Sequence, residues 1–113
     1  MKFTIEERED IVIIRLEGDV VGGPDAASVS EKIRNFLSQG IKKFIVDLHN
    51  VKWMNSSGLG ILIGCLTTVR NNNGQLSLLH IPPKVEKLLK LTKLERVFNQ
   101  FDNEDKAIEN FHK

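Results

Sequence analysis

Apolar and polar positions alternate at the start of the chain. Phe3 and Ile5 flank Thr4, and Val12, Ile14 and Leu16 are spaced by two, with Arg15 between the last pair. A period of two predicts strands with one buried face each. Glu7-Arg8-Glu9-Asp10 separates the two runs and predicts a polar turn joining an antiparallel pair. Gly18 to Gly23 reads as a glycine-rich connection, and Pro24 falls where a helix would begin. Proline presets φ there and lacks an N–H that would otherwise go unpaired. Val29, Ile33, Phe36 and Leu37 then recur at helical spacing, with Gly40 as the C-terminal stop.

Within Ile41 to Leu48 the run Phe44-Ile45-Val46 is continuous, which predicts a central strand covered on at least one face. A loop is expected from Asp47 to Asn55. Leu59, Leu62, Leu66 and Val69 mark a second helix that ends at Asn71-Asn72-Asn73-Gly74. Gln75 to Ile81 reads as a strand, and Pro82-Pro83 opens a helix with Val85, Leu88 and Leu89 on one face. Val97, Phe98 and Phe101 suggest a short last strand. Asp102 or Asn103 would cap a final helix carrying Ala107, Ile108 and Phe111. The order ββαβαβα(β)α predicts an α/β domain: a mixed sheet of four or five strands, parallel neighbours joined by right-handed crossovers, and helices mainly on one face. Ile5, Val12, Ile14, Phe44, Val46, Leu62, Leu66, Leu78 and Leu88 are the core candidates. With no linker, repeat or low-complexity tract in the pattern, residues 1–113 are expected to form a single domain.

Composition narrows the classes of function. A chain of 113 residues, 41% hydrophobic, is large enough to bury a core without disulfides or a structural metal. Sixteen basic and fifteen acidic side chains leave a net charge of +1, and no Lys/Arg block stands out, so nothing argues for direct nucleic-acid binding. Cys65 is alone, which excludes an intramolecular disulfide and a Cys-cluster zinc site. With no basic-then-apolar leader and no apolar run near eighteen residues, the expected setting is the cytoplasm, away from membrane.

The stretch from Val46 to Gly60 carries the candidate chemistry. A buried strand leads through a loop to Asn55-Ser56-Ser57-Gly58 at the start of a helix. Two readings stand side by side. Ser56 is placed to be the N-cap, its hydroxyl accepting an N–H of the first turn. Alternatively it is a phosphoacceptor, because a phosphate at a helix N-terminus is tolerated by the dipole and free N–H groups while changing surface charge by roughly −1.5 to −2. Gly58, Gly60 and Gly64 in one helix also ask for a reason, since glycine costs about 1 kcal/mol against alanine there. Either the helix packs closely on the sheet or it presents a flat surface to a partner. Met54 reads as core, and Trp53 as core or as an exposed interface anchor.

Val46 to Gly64 resembles the signature of the STAS domain, as found in bacterial anti-sigma factor antagonists. The matching residues are Asp47-Leu48 at the strand end, Val51 and Met54 in the connection, and Asn55-Ser56-Ser57-Gly58-Leu59-Gly60. The predicted element order fits that fold from end to end. The resemblance implies a phosphorylation-switched interaction module. Ser56 stands at the position phosphorylated by an anti-sigma factor that is also a serine kinase. The unphosphorylated protein would bind that kinase and free a sigma factor, and a serine phosphatase would reverse the modification. It further implies a partner-binding surface at Trp53, Met54, Asn55, Ser56, Ser57, Gly58 and Gly60, on a monomer or weak homodimer. Two positions depart from the family pattern. Asn55 replaces the usual Asp, and Val21-Gly22-Gly23 stands where many relatives carry an Asp and bulkier residues. The second reading is therefore a non-switching STAS adaptor in another signalling or transport complex.

Catalysis finds little support in the residues. A serine nucleophile would lack the Gly-x-Ser-x-Gly elbow, and the only imidazoles are His49, His80 and His112. Gly58-x-Gly60-x-x-x-Gly64 is one residue too long for a dinucleotide fingerprint and has no phosphate-binding lysine. No His/Asp/Glu spacing suggests a metal. The expectation is a protein with no catalytic residues, metal or cofactor.

Overall fold

A computed structural model describes residues 1–112. The hairpin at the N-terminus is β1 (Lys2–Arg8) and β2 (Ile11–Val20), antiparallel with Ile5 opposite Ile14, and the tight turn places Glu9 at a φ of 58°. There follow α1 (Pro24–Ser38), β3 (Lys43–Met54), α2 (Ser56–Asn71), β4 (Gln75–Leu79), α3 (Pro83–Leu91), β5 (Asn99–Phe101) and α4 (Glu104–Asn110). The five strands lie in sequence order, β1-β2-β3-β4-β5. Every pair after the first is parallel, as the alternating strand–helix pattern predicts.

The two faces of the sheet are covered unequally. Val12, Ile14 and Leu16 of β2, with Phe44, Val46 and Leu48 of β3, meet Val29 and Ile33 of α1, Leu62 and Leu66 of α2, and Val85 and Leu89 of α3. On the opposite face Ile11, Ile13, Ile45 and Leu79 meet Ala107 and Phe111 from the α4 end of the chain, with Phe101 and Ile108 half-buried at the margin. The four-residue run Ile11–Ile14 is wholly buried because its odd and even members serve different cores. Of the expected core, Ile5 and Leu88 are half-buried at its margin and the other seven residues are buried.

Several boundaries differ from the pattern-based expectation: β1 runs to Arg8, into the expected turn, and β4 ends at Leu79 rather than Ile81. The segment from Asp47 to Met54 is not a loop: β3 runs on to Met54, paired with β2 residues Glu17 to Val20, where a glycine-rich connection was expected to start. The pairing shifts register twice, between Arg15 and Glu17 and between Gly18 and Asp19. Each shift sets an extra β3 residue against β2, since Asp47 and Asn50 face Arg15 and Glu17, and Val51 and Trp53 face Gly18 and Asp19. These bulges break the period of two, so Val51 and Met54 are buried three apart and no alternation is visible. The last strand begins at Asn99; Val97 precedes it and Phe98 packs into the main core.

Candidate functional site

The bulged end of β3 delivers the chain to the start of α2. Asn55 is extended, its amide donates to the Val20 carbonyl at 3.4 Å, and its Oδ1 accepts the Gly58 amide at 2.8 Å. Asn55, not Ser56, is therefore the N-cap. An Asn at this position satisfies the same orphan donor as a serine would, and it does so one residue earlier than expected. Ser56 and Ser57 then occupy the first turn of α2, both exposed. The Ser56 hydroxyl is relieved of a capping role.

The three glycines divide between the two expected roles. A Cβ on Gly58 would lie 1.9 Å from the Val20 carbonyl oxygen, so this glycine lets the first turn of α2 press on the end of β2. Gly60 and Gly64 are exposed, and a Cβ on either would meet nothing within 4 Å. They flatten the outer face of α2. Across from Ser57, Gly22 has a φ of +94° and its Cβ position lies 3.4 Å from the Ser57 Cβ, so the Val21–Gly23 loop rests beside the start of α2.

Among the seven residues proposed for partner contact, Trp53, Ser56, Ser57 and Gly60 are exposed, and Asn55 is partly so. Trp53 is 48% exposed, a large figure for an indole in a strand. Met54 and Gly58 face inward, and their part is to hold the others in place. Val21, at 43% exposed, adds an apolar side chain, and it stands at a position that departs from the family pattern.

A second polar constellation lies on the α4 side of the sheet. Asp47 is 6% exposed; its Oδ2 accepts from Arg15 at 2.7 Å, while its Oδ1 accepts the His49 amide at 3.0 Å and lies 3.1 Å from His80 Nδ1. Arg15 also donates to Glu104 at 2.9 Å and Glu6 at 3.1 Å, and Arg8 reaches the same two carboxylates. Burial pushes the Asp47 carboxyl up, but the His49 amide, the Arg15 guanidinium and the His80 ring outweigh it and hold the group below the ordinary range. Burial likewise works against the Arg15 charge, and the Glu104, Asp47 and Glu6 carboxylates more than restore it. This network fixes the α4 N-terminus to the sheet through Glu104. The rings of His49 and His80 meet edge to face at 5.3 Å beside it, and His112 is exposed near the chain end.

Other candidate chemistry is sparse. Cys65 is buried within 3.7 Å of the Ser30 hydroxyl, and burial pushes its thiol up, away from the reactive thiolate. Among the described residues there is no group of three or more His, Cys, Asp or Glu side chains arranged for a metal ion. No described helix is long and apolar enough to cross a membrane. An open depression of about 660 Å³ lies along Lys2, Glu17, Asp19, His49 and Lys52, and neither Ser56 nor Ser57 lines it.

The described residues thus form a five-stranded α/β sheet that presents two exposed serines in the first turn of its second helix. The STAS domain model matches residues 2–107, and the chain belongs to the STAS domain family. It is 24% identical over 113 residues to the anti-sigma F factor antagonist of Paenibacillus polymyxa, a match covering 96% of this chain and 92% of that protein. It is 30% identical over 79 residues to the anti-sigma-B factor antagonist of Staphylococcus aureus, covering 70% of each. The same fold is found in the Bacillus cell fate determinant SpoIIAA, at 24% identity and a TM-score of 0.76. That protein has been solved in an unphosphorylated form (98% of each chain matched) and a phosphorylated form (97% of this chain, 99% of that one).

Proposed function

We propose that this protein is an anti-sigma factor antagonist, switched by phosphorylation of Ser56 and without catalytic activity of its own. In the unmodified state it binds an anti-sigma factor that is a serine kinase and so releases a sigma factor. The kinase phosphorylates Ser56, the complex dissociates, and a serine phosphatase resets the module. The observation that carries this reading is the exposure of Ser56 in the first turn of α2 while Asn55 does the capping. Relatives named as antagonists at 24% and 30% identity support it, as does a neighbour of the same fold that exists in phosphorylated and unphosphorylated forms.

Local charge suffices for the switch. The first turn of α2 holds no acidic residue and its cap is neutral, so a Ser56 phosphate would meet free N–H groups and the positive helix end with no carboxylate of that turn opposing it. The fold would tolerate the group. A partner covering the flat α2 face would not, because burying an unpaired charge costs several kcal/mol. Asn55 in place of the family's Asp also favours a second reading, a passive adaptor whose serine is never modified. Recovery of the protein from its source cells, followed by intact-mass analysis, separates the two. The switch predicts a species heavier by about 80 Da, one phosphoryl group, that Ser56→Ala removes. A single unmodified species under every growth condition, still bound to its partner, would leave the adaptor.

A further inference from the structure

One oxygen of Asp47 orients two histidines. Its Oδ1 accepts the His49 amide at 3.0 Å and lies 3.1 Å from His80 Nδ1, while Oδ2 is taken by Arg15. An ionised carboxylate only accepts, so the proton of a neutral His80 ring sits on Nδ1 and the lone pair on Nε2, across the ring from Asp47. The His80 backbone is pinned as well. Its amide donates to the Phe101 carbonyl at 3.0 Å, and its φ of 54° lies in the left-handed region just after β4.

The rings of His49 and His80 have centres 5.3 Å apart. With metal–nitrogen bonds of about 2.0–2.1 Å, a tetrahedral ion sits about 3.2 Å from the centre of each imidazole it binds, which sets two such centres about 5.2 Å apart. Aromatic contact alone gives any spacing from about 4.5 to 7 Å. The carboxylate behind His80 is what points to a ligand. A metal-binding imidazole characteristically donates its other N–H to a carboxylate, which fixes tautomer and orientation and raises the basicity of the coordinating nitrogen. The rings now meet edge to face, and turning the exposed His49 ring in place aims a nitrogen at the same ion.

We propose that His49 and His80 together bind a divalent transition-metal ion such as Zn²⁺, His80 through Nε2, with Asp47 as the carboxylate behind it. No third His, Cys, Asp or Glu completes the set among the described residues, so water fills the remaining positions. Imidazole donors suit ions of the zinc, nickel and copper type, whereas Mg²⁺ and Ca²⁺ take oxygen. The surroundings favour a cation. Asp47, Glu6 and Glu104 outnumber Arg15 and Arg8 in the adjoining ion-pair network. In the open depression beside His49, Lys2 and Lys52 are matched by Glu17 and Asp19. Two protein donors make the ion exchangeable, since a structural zinc site closes all four positions with side chains.

Calorimetric titration of the purified, untagged chain with zinc chloride in a non-coordinating buffer, paired with NMR of the imidazole nitrogens, tests the site. One ion per chain is expected to bind. His80 Nε2 and one His49 nitrogen should shift together as zinc is added, with His80 Nδ1 keeping its proton. His49→Gln and His80→Gln should each weaken binding at least about tenfold, because half of the protein donor set is lost. His112→Gln should leave it unchanged, and magnesium chloride should produce none of these shifts. The wild-type spectra carry the result even where a variant is destabilised. Absence of saturable binding up to about 1 mM zinc would overturn the proposal. So would an ion held at His112, or an affinity unchanged in both His49→Gln and His80→Gln while each remains folded by circular dichroism.

Discussion

The Cβ-less face of Gly58 lies directly against the carbonyl of Val20: a side-chain carbon there would sit 1.9 Å from that oxygen. The contact locks the start of α2 onto the end of β2 and so sets where Ser56 emerges. Gly58→Ala should cost at least about 3 kcal/mol, because the obstacle is backbone and has little freedom to retreat. Gly60→Ala and Gly64→Ala meet open space and should instead stabilise by about 0.5–1 kcal/mol each. Chemical denaturation of the three variants checks the contrast. Equal effects at all three positions would deny Gly58 its packing role.

Asn55 should behave as a cap first and as a charge difference second. Asn55→Asp keeps the oxygen that accepts the Gly58 amide, so stability should stay within a few tenths of a kcal/mol or rise slightly from the helix dipole. Asn55→Ala should cost about 1 kcal/mol. Thermal melts of both variants test this, and a neutral alanine replacement would mean the cap contributes nothing.

The Asp47 network gives the fold an acid limit. The carboxyl is held below its ordinary value in the folded chain, chiefly by the His49 amide, Arg15 and His80 acting against burial. A depressed folded pKa contributes stability above the unfolded value, about 3.9, and loses it as pH falls through the folded value. Unfolding free energy should therefore be flat across this group's range near neutrality and decline below about pH 4. Asp47→Asn should lower stability near neutrality by about 2 kcal/mol, since Arg15 keeps Glu104 and Glu6. It should also flatten the acid slope. An unchanged slope in this variant would place the acid sensitivity elsewhere.

Much of this arrangement was legible in the order of residues, and the exceptions have physical causes. Val12-Ile14-Leu16 and Phe44-Ile45-Val46 announced their strands because each side of the sheet imposes its own period on them. The element order and a mixed sheet of four or five strands followed from that. The strand from Asp47 to Met54 was hidden because two bulges shift the alternation, leaving Val51 and Met54 at a spacing no regular strand has. Ser56 was placed correctly at the helix start, but Asn55 and Ser56 are near-equal caps by type, and only the bond to Gly58 decides between them. The Arg15–Asp47–Glu104 cluster had no local signature at all: its members lie 32 and 89 positions from Arg15 and meet only once the sheet forms. The run Ile11–Ile14, apolar at every position, was the available sign that α4 would cover the second face.

Trp53 should matter to binding far more than to folding. Its ring is about half exposed on a strand otherwise anchored by Val51 and Met54. Trp53→Ala is expected to change stability by less than about 1 kcal/mol and to weaken the partner complex by about 2 kcal/mol or more, as an interface anchor does. Parallel melting and binding experiments test this; a large loss of stability with intact affinity would return Trp53 to the core.

The most direct measurement of the switch is calorimetric binding of the recovered anti-sigma factor to wild type, Ser56→Ala and Ser56→Asp. The hydroxyl and the methyl can both be covered by a partner, whereas a carboxylate on the exposed first turn of α2 must be desolvated. Wild type and Ser56→Ala should bind with affinities within a few-fold of each other. Ser56→Asp should bind at least about tenfold more weakly, the equivalent of 1.4 kcal/mol, with its melting temperature unchanged or slightly raised. Equal affinity of wild type and Ser56→Asp would contradict the phosphorylation switch.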